Sequence, residues 1–308
     1  MGLAHPAPLR LSHQTLAALL QPDRIFSQLP DPKTALLKVS LLTPLCLFFL
    51  FPALIQAQAP SPFPWSEGEK LTYLIEWGPI DAAEATFTAR QEPKREGIER
   101  FELFLRSRGP IEAFFPIRTR ITSLTQLHPW RTTEYIQDRQ EGGNIRHRRT
   151  LPDYSVRLGR FFPAPGRAEE NFDILEGPYE DFGSMLYHVR AYPWQKGSTV
   201  TWQVLENKEP LFAKISCTQI ATLPIDERPP LPLIEIFGQP HGPSSRHQGW
   251  MKIWMTDDAR RIPIFAQLKF QYGTFDIRLI RGGGPELDYR PDGEPIPIYS
   301  EAESSQKP

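Results

Sequence analysis

The sequence predicts a mainly β protein: an antiparallel sheet with one short covering helix near residues 181–190. Three observations carry that prediction. Apolar and polar residues alternate over several separate runs, with the two-residue period of a half-buried strand. Proline is abundant, 33 of 308 residues, and proline at that density breaks helices and favours short strands and loops. Helical spacing of apolar residues is credible in one short stretch only, directly after the turn signal Gly177-Pro178.

The strands follow in chain order. Leu71, Tyr73, Ile75 and Trp77 alternate with Lys70, Thr72 and Glu76, and Gly78-Pro79 then marks a turn. Ala83, Ala85, Phe87 and Ala89 alternate with Glu84, Thr86 and Thr88, so the two runs read as a hairpin. Phe101, Leu103 and Leu105 continue the pattern, and Ile117 to Leu127 and Thr132 to Arg139 are further candidates. Ile145 to Leu158 is polar and ambiguous. Val200, Trp202 and Val204 form a later strand, Leu211, Ala213 and Ile215 another, and Leu233 to Phe237 and Trp250 to Thr256 follow. The cleanest case is Arg261 to Tyr272, where six apolar side chains from Ile262 to Tyr272 share one face. Gly273-Thr274 turns the chain, and Phe275, Ile277 and Leu279 resume. Alternation over this many strands implies a sheet with one dry face.

The helix reads from its own chemistry. Phe182, Met185, Leu186 and Val189 lie at i, i+3, i+4 and i+7, which is a single apolar stripe. Asp181 is placed as the N-cap, accepting from backbone N–H groups that have no partner within the helix. Pro193 stops the helix. A helix this short needs a surface to cover, and the dry face of the sheet is the obvious one.

Composition excludes several classes. Apolar residues make up 40% and charged residues 23%, which rules out a collagen, a coiled coil, a wholly disordered chain and a multi-pass membrane protein. A net charge of −1 supplies no field to recruit nucleic acid. Two cysteines cannot build a disulfide scaffold.

The front of the chain reads as an address. Val39 to Ile55 carries no charge, follows Lys33 and Lys38, and precedes Ala57-Gln58-Ala59. A basic stretch, an apolar stretch and small residues describe a secretory signal peptide over 39–59. The alternative is a single N-terminal membrane anchor, for which the apolar run is at the lower length limit. Residues 1–38 sit oddly ahead of it, and a start codon assigned too early would account for them. Cys46 lies mid-run, which does not suit a lipid anchor, and Cys217 reads as a buried, inert thiol. The folded domain is expected over 60–284, followed by a disordered tail, 285–308, rich in proline and acids.

Three motifs carry a family resemblance. Gly68-Glu69-Lys70-Leu71-Thr72-Tyr73, followed by Ile75, Trp77-Gly78, Ile80, Ala82 and Ala85, is the first. Asp181, Ser184, Leu186-Tyr187 and Arg190 form the second, of the shape D-x-x-S-x-L-Y-x-x-R. Arg261-Ile262-Pro263-Ile264 with Gly273 is the third. Together, over about 68–281, they resemble the DUF3108 family of exported bacterial proteins of unknown function. The chain departs from the pattern at Ala83, where glycine is usual, and in the proline-rich stretch from Pro224 to Gly249. The resemblance implies an exported envelope protein on a curved antiparallel sheet, a half-barrel or open barrel. By looser analogy that shape is similar to carriers that hold acyl chains on a concave face. It brings no established activity and singles out Glu69, Tyr73, Asp181, Tyr187 and Arg190, in a structural or a ligand-binding role.

No catalytic set, metal site or cofactor site follows from the residues. His241 and His247 flank a turn-rich loop without acidic or cysteine partners. Asp257-Asp258 reads as a turn. Arg146-His147-Arg148-Arg149 is the densest positive cluster. It reads either as a wet sheet face balanced by Glu134, Asp138 and Glu141, or as a patch for anionic heads. Trp250 and Trp254 share a face with Lys252, opposite Met251, Ile253 and Met255, and read as core or as the lining of a ligand groove. The expectation is an exported, non-enzymatic envelope protein that holds a lipid-like apolar or amphipathic ligand. The alternative is an assembly factor with an envelope protein partner, and an envelope hydrolase comes third. Nucleic acid is not an expected partner, and membrane contact is expected only through an uncleaved leader.

Overall fold

The alternation in the first two runs produces a hairpin. β1 (Glu69–Trp77) and β2 (Ile80–Gln91) pair antiparallel around Gly78-Pro79. Gly78 takes a positive φ of 58°, a conformation glycine adopts without steric cost. From there the chain meanders through β3 (Ile98–Ser107), a single-turn helix α1 (Gly109–Phe114), β4 (Ile117–Leu127), β5 (Trp130–Glu141), β6 (Asn144–Asp153), β7 (Leu158–Phe162) and β8 (Glu170–Asp173). β9 (Tyr179–Glu180) and α2 (Phe182–Ala191) follow, and then β10 (Thr199–Glu206), β11 (Glu209–Leu223), β12 (Leu231–His241), β13 (Trp250–Thr256), β14 (Pro263–Phe270) and β15 (Gly273–Arg281). This computed structural model describes residues 63–206, 208–225, 230–241, 249–270, 273–284 and 287–288. The expected signal peptide, nearly all of the tail, and the His241–His247 loop beyond His241 lie outside the described residues.

The fifteen strands among the described residues form one sheet, in the order β8-β7-β6-β5-β4-β3-β2-β1-β15-β14-β13-β12-β11-β10-β9. Neighbours run antiparallel except β9 and β10, which are parallel. The last strand in sequence closes back on the first, so β1–β15 sits mid-sheet. β8 and β9 are consecutive in sequence yet form opposite edges. The sheet therefore bends until its ends are a short connection apart. α2 touches β3, β4 and β5 on one arm and β10 on the other, and β9 touches β5 across the gap. The result is an open barrel wrapped around a helix, with the two edges unpaired to each other.

The core lies between the sheet's concave face and α2. Val189 packs with Ile215, Cys217, Ile234, Ile236, Ile253 and Met255 on the β11–β13 side. Leu71, Tyr73, Leu103, Ile121, Tyr135 and Leu279 form the neighbouring cluster, and Phe182 packs against it. Trp65, Phe101 and Tyr187 join a third. The expected single apolar stripe on α2 is too narrow: Gly183, Ser184, Tyr187, Val189 and Arg190 are all buried. The reason is the curvature, which puts sheet on more than one side of the helix. The ambiguous stretch from Ile145 is β6, whose residues are mostly exposed on both faces in its first half, so no alternation marks it. Trp77, expected in the core, is 41% exposed because it stands at the sheet's rim.

Candidate functional site

The three sequence motifs meet at one buried junction. Gly68, at φ 76°, turns the chain into β1 and presents Glu69 inward. Asp181 caps α2 as its residue type demands, accepting from the N–H groups of Gly183 (2.8 Å) and Ser184 (3.0 Å). The Ser184 hydroxyl accepts from the Asp181 N–H in return, completing a capping box. The other carboxylate oxygen of Asp181 accepts from Ser123 (2.5 Å) and Thr132 (2.7 Å), which ties the helix to β4 and β5. Burial pushes the Asp181 carboxyl up, and these donors offset part of that shift.

Nine residues on, two and a half helical turns later, α2 carries Arg190. It is 3% exposed. Its Nη1 and Nη2 donate to both carboxylate oxygens of Glu69, at 2.5 and 2.9 Å. Nη2 also reaches the carbonyls of Pro64 and Arg260, and Nε that of Arg261 at 3.1 Å. Tyr73 donates to the Pro263 carbonyl at 2.9 Å, and burial raises its phenol well above the usual range. Tyr187 stacks on Phe101 with centroids 4.1 Å apart, under the Arg190 guanidinium. So Glu69, Tyr73, Tyr187 and Arg190 come together, and Asp181 sits at the other end of the same helix. Each donor type of the guanidinium has a partner and the carboxylate is matched to it in bidentate form, which is the geometry of a lock. A lock holds β1, α2 and the turn before β14 in register.

Two features have no local signal in the sequence. His188 lies between the rings of Trp130 and Trp202, at 4.3 and 4.2 Å and within 11° and 4° of parallel. Its Nδ1 contacts the buried Glu180 carboxylate, which burial pushes up in pKa. Trp130 belongs to β5 and Trp202 to β10, so this sandwich joins the two arms of the sheet. Near the same end, Glu99 is buried with Oε2 unpartnered among the described residues, and burial together with the charge of Glu67 pushes its carboxyl up to about 7.

The concave face changes character along the strands. Beside α2 its inward residues are dry: Leu71 and Tyr73 on β1, Phe101 and Leu103 on β3, Met255 and Ile253 on β13, Ile264 on β14 and Leu279 on β15. Toward the far end the same rows become half-buried, at Ile75, Leu105, Met251, Leu268, Ile277 and Phe275. Trp77, stacked on Phe275, and Phe270 are exposed at the rim. Phe114, on α1 at the same end, is 88% exposed.

Trp250 and Trp254 are elsewhere. They stand on the outer face of β13, near Phe237 and against Phe265, with Lys252 over the Trp254 ring. Strand alternation separates them from Met251, Ile253 and Met255, which face the helix cluster. The concave lining is therefore carried by other residues than these two. In the basic cluster, Arg149 pairs with Glu134, His147 with Asp138 and Arg146 with Glu141. Asp258 accepts from Thr256 and from the N–H groups of Arg260 and Arg261, as a turn residue does. Cys217 is buried and free, and its thiol is pushed up by burial. Two clefts, about 310 and 510 Å³, share Arg131 and Tyr154 in their linings. Among the described residues no three His, Cys, Asp or Glu side chains gather as a metal site. No helix there is long and apolar enough to cross a membrane.

An open antiparallel sheet wrapped on a buried helix, with its motif residues spent on a lock, defines a barrel-like β protein. The chain belongs to the DUF3108 family, described as proteins of unknown function, whose family model matches residues 72–280. No curated protein matches the chain. Among solved structures it is similar to a β-barrel-like protein of the domain of unknown function DUF1849 from Brucella abortus, at 8% identity and a TM-score of 0.49, covering 70% of this chain and 96% of that one. It is also similar to a candidate exported protein with a YmcC-like fold from Bacteroides fragilis, at 9% identity and a TM-score of 0.26, covering 71% and 97%.

Proposed function

We propose that the protein is an exported, non-enzymatic component of the cell envelope that holds an apolar or amphipathic ligand against the far half of its curved sheet. The observation that carries this reading is the drift of the inward rows on β1, β3, β14 and β15 from dry to half-buried while their side chains stay apolar. Ile75, Leu105, Leu268, Ile277 and Phe275 keep apolar side chains where α2 no longer covers them. Apolar surface left at a concave mouth favours a ligand that removes it from water, at about 25 cal/mol per Å². The address rests on the signal-peptide pattern at 39–59.

The test is mass spectrometry on organic extracts of the protein purified from the periplasm with its own leader. A stoichiometric apolar or amphipathic molecule is the expected result, and it should be depleted in an Ile277→Trp variant that fills the mouth. A clean, empty protein would remove the carrier reading. One observation favours a second reading, assembly with an envelope partner: Phe114 and Ile145 project at the same end, 88% and 79% exposed. Crosslinking from position 114 in cells would capture one defined protein if that reading is right.

A further inference from the structure

The wall of the mouth formed by β4, β5 and β6 differs from the apolar wall. Ile121 is inward, since it packs in the core beneath α2. Its cross-strand partner on β5 is Gln137, and the next inward pair is Thr119 with Arg139. On β6 the partners of Gln137 and Arg139 are Arg148 and Arg146. Three arginines therefore share the inward face of this wall, and Glu141 lies 3.9 Å from one of them, Arg146. Arg139 itself has no ion pair and no side-chain hydrogen bond among the described residues, and its Nε is buried. Gln137 is 2% exposed, with a buried Oε1 that is equally unpartnered there.

A guanidinium stays charged at any physiological pH. Holding one half-buried without an anion costs free energy, because the desolvated charge has nothing to repay it. The neighbouring Gln137 Oε1 is also unpartnered among the described residues, but it is an acceptor and adds no pull on an anion. Both lie at the end of the sheet where the opposite wall is apolar and half-exposed. One wall thus suits a hydrocarbon chain and the other suits a negative head.

We propose that Arg139, with Arg146 and Arg148 beside it and Gln137 beneath, forms an anion subsite that takes the acidic head of an amphipathic ligand whose chain lies on the apolar wall. This rests on the function proposed above and gives it a ligand class: one anionic group on an apolar tail. A carboxylate head would mark a free fatty acid, and a phosphate head a phospholipid-derived molecule. Arg139 would meet either with two parallel N–H donors.

The experiment is a titration of the purified full chain with three probes that share one tail: dodecanol, dodecanoate and dodecyl phosphate. Each is read by quenching or shift of tryptophan emission, in wild type and in Arg139→Gln. In wild type the better of the two anionic probes should bind at least about tenfold tighter than dodecanol, the worth of one charge-assisted hydrogen bond. Which head gains more decides the source. Arg139→Gln should erase that preference and leave dodecanol binding unchanged. The variant should melt no lower than wild type in the ligand-free state, since an unpaired charge has been removed. Equal binding of all three probes by wild type would overturn the subsite while leaving the apolar mouth standing. A preference that survives Arg139→Gln would overturn the role of Arg139. Failure of every probe to bind would overturn the mouth and the subsite together.

Discussion

Arg190 carries a charge it cannot lose into a place with almost no water, and every consequence follows from that. Glu69 neutralises it, and three carbonyls take the remaining directions. Replacing Arg190 by alanine leaves the Glu69 carboxylate facing a cavity, so a loss of about 3–5 kcal/mol is expected. The double change Glu69→Leu with Arg190→Met removes both charges and should be less damaging than Arg190→Ala alone. Denaturant melts of the three proteins check this, and a double variant worse than the single one would contradict it. Glu99 is a simpler case. Its folded carboxyl sits at about 7 against an ordinary 4.5. Between those values the folded chain holds a proton that the unfolded chain has released. Stability from this group is therefore full below about pH 4.5, falls as pH rises, and is lost above about pH 7. The shift corresponds to about 3 kcal/mol. Glu99→Gln should flatten that fall, and chemical melts at pH 4.5 and 7.5 measure it.

At the scale of elements, the sequence was readable wherever one face of a strand is dry and the other wet. β3 shows this: Phe101 and Leu103 are inward and buried, while Arg100, Glu102 and Arg106 on the other face meet water. β14 and β15 are equally plain for the same reason. The helix was readable through a different signal, the cap chemistry of Asp181 and Ser184 and the stop at Pro193. β6 was not readable, because both its faces meet water over residues 144–149. α1 was missed because a single turn begun by Gly109-Pro110 leaves no periodicity to detect. The outward tryptophans stayed between two readings for a physical reason as well, and Trp254 does pack against the main core cluster. Trp250 and Trp254 lie on a strand that is apolar on both faces, so alternation could not say which face looks at the helix. The motif residues were found by family pattern, but that Glu69, Arg190 and the carbonyls of 260 and 261 touch is a matter of chain separations of 70 residues and more. No local rule encodes such a contact.

The whole molecule poses a problem that no element solves alone: a sheet this curved brings two unpaired edges close together. β8 and β9 cannot complete the hydrogen-bonded ring, and five residues, 174–178, carry the chain between them. Side chains bridge the gap instead. Tyr154 donates to the Thr132 carbonyl at 2.7 Å, Ile174, Tyr179 and Leu205 pack together, and Trp130 and Trp202 clamp His188 from the two arms. Closure by side-chain stacking is weaker and less cooperative than closure by a backbone ladder, so the seam should be the region that opens first. Trp202→Ala removes one jaw of the clamp. Its aromatic area is only partly buried, so the expected cost is about 2–3 kcal/mol, below the 3–5 typical of a core aromatic. The loss should be local. Hydrogen exchange should quicken in β9, β10 and the first turn of α2, while β1, β2 and β15, paired on both sides in mid-sheet, keep their protection. Exchange that rose equally in every strand would mean that the seam and the sheet open as one unit, and that the clamp does not define a separate step.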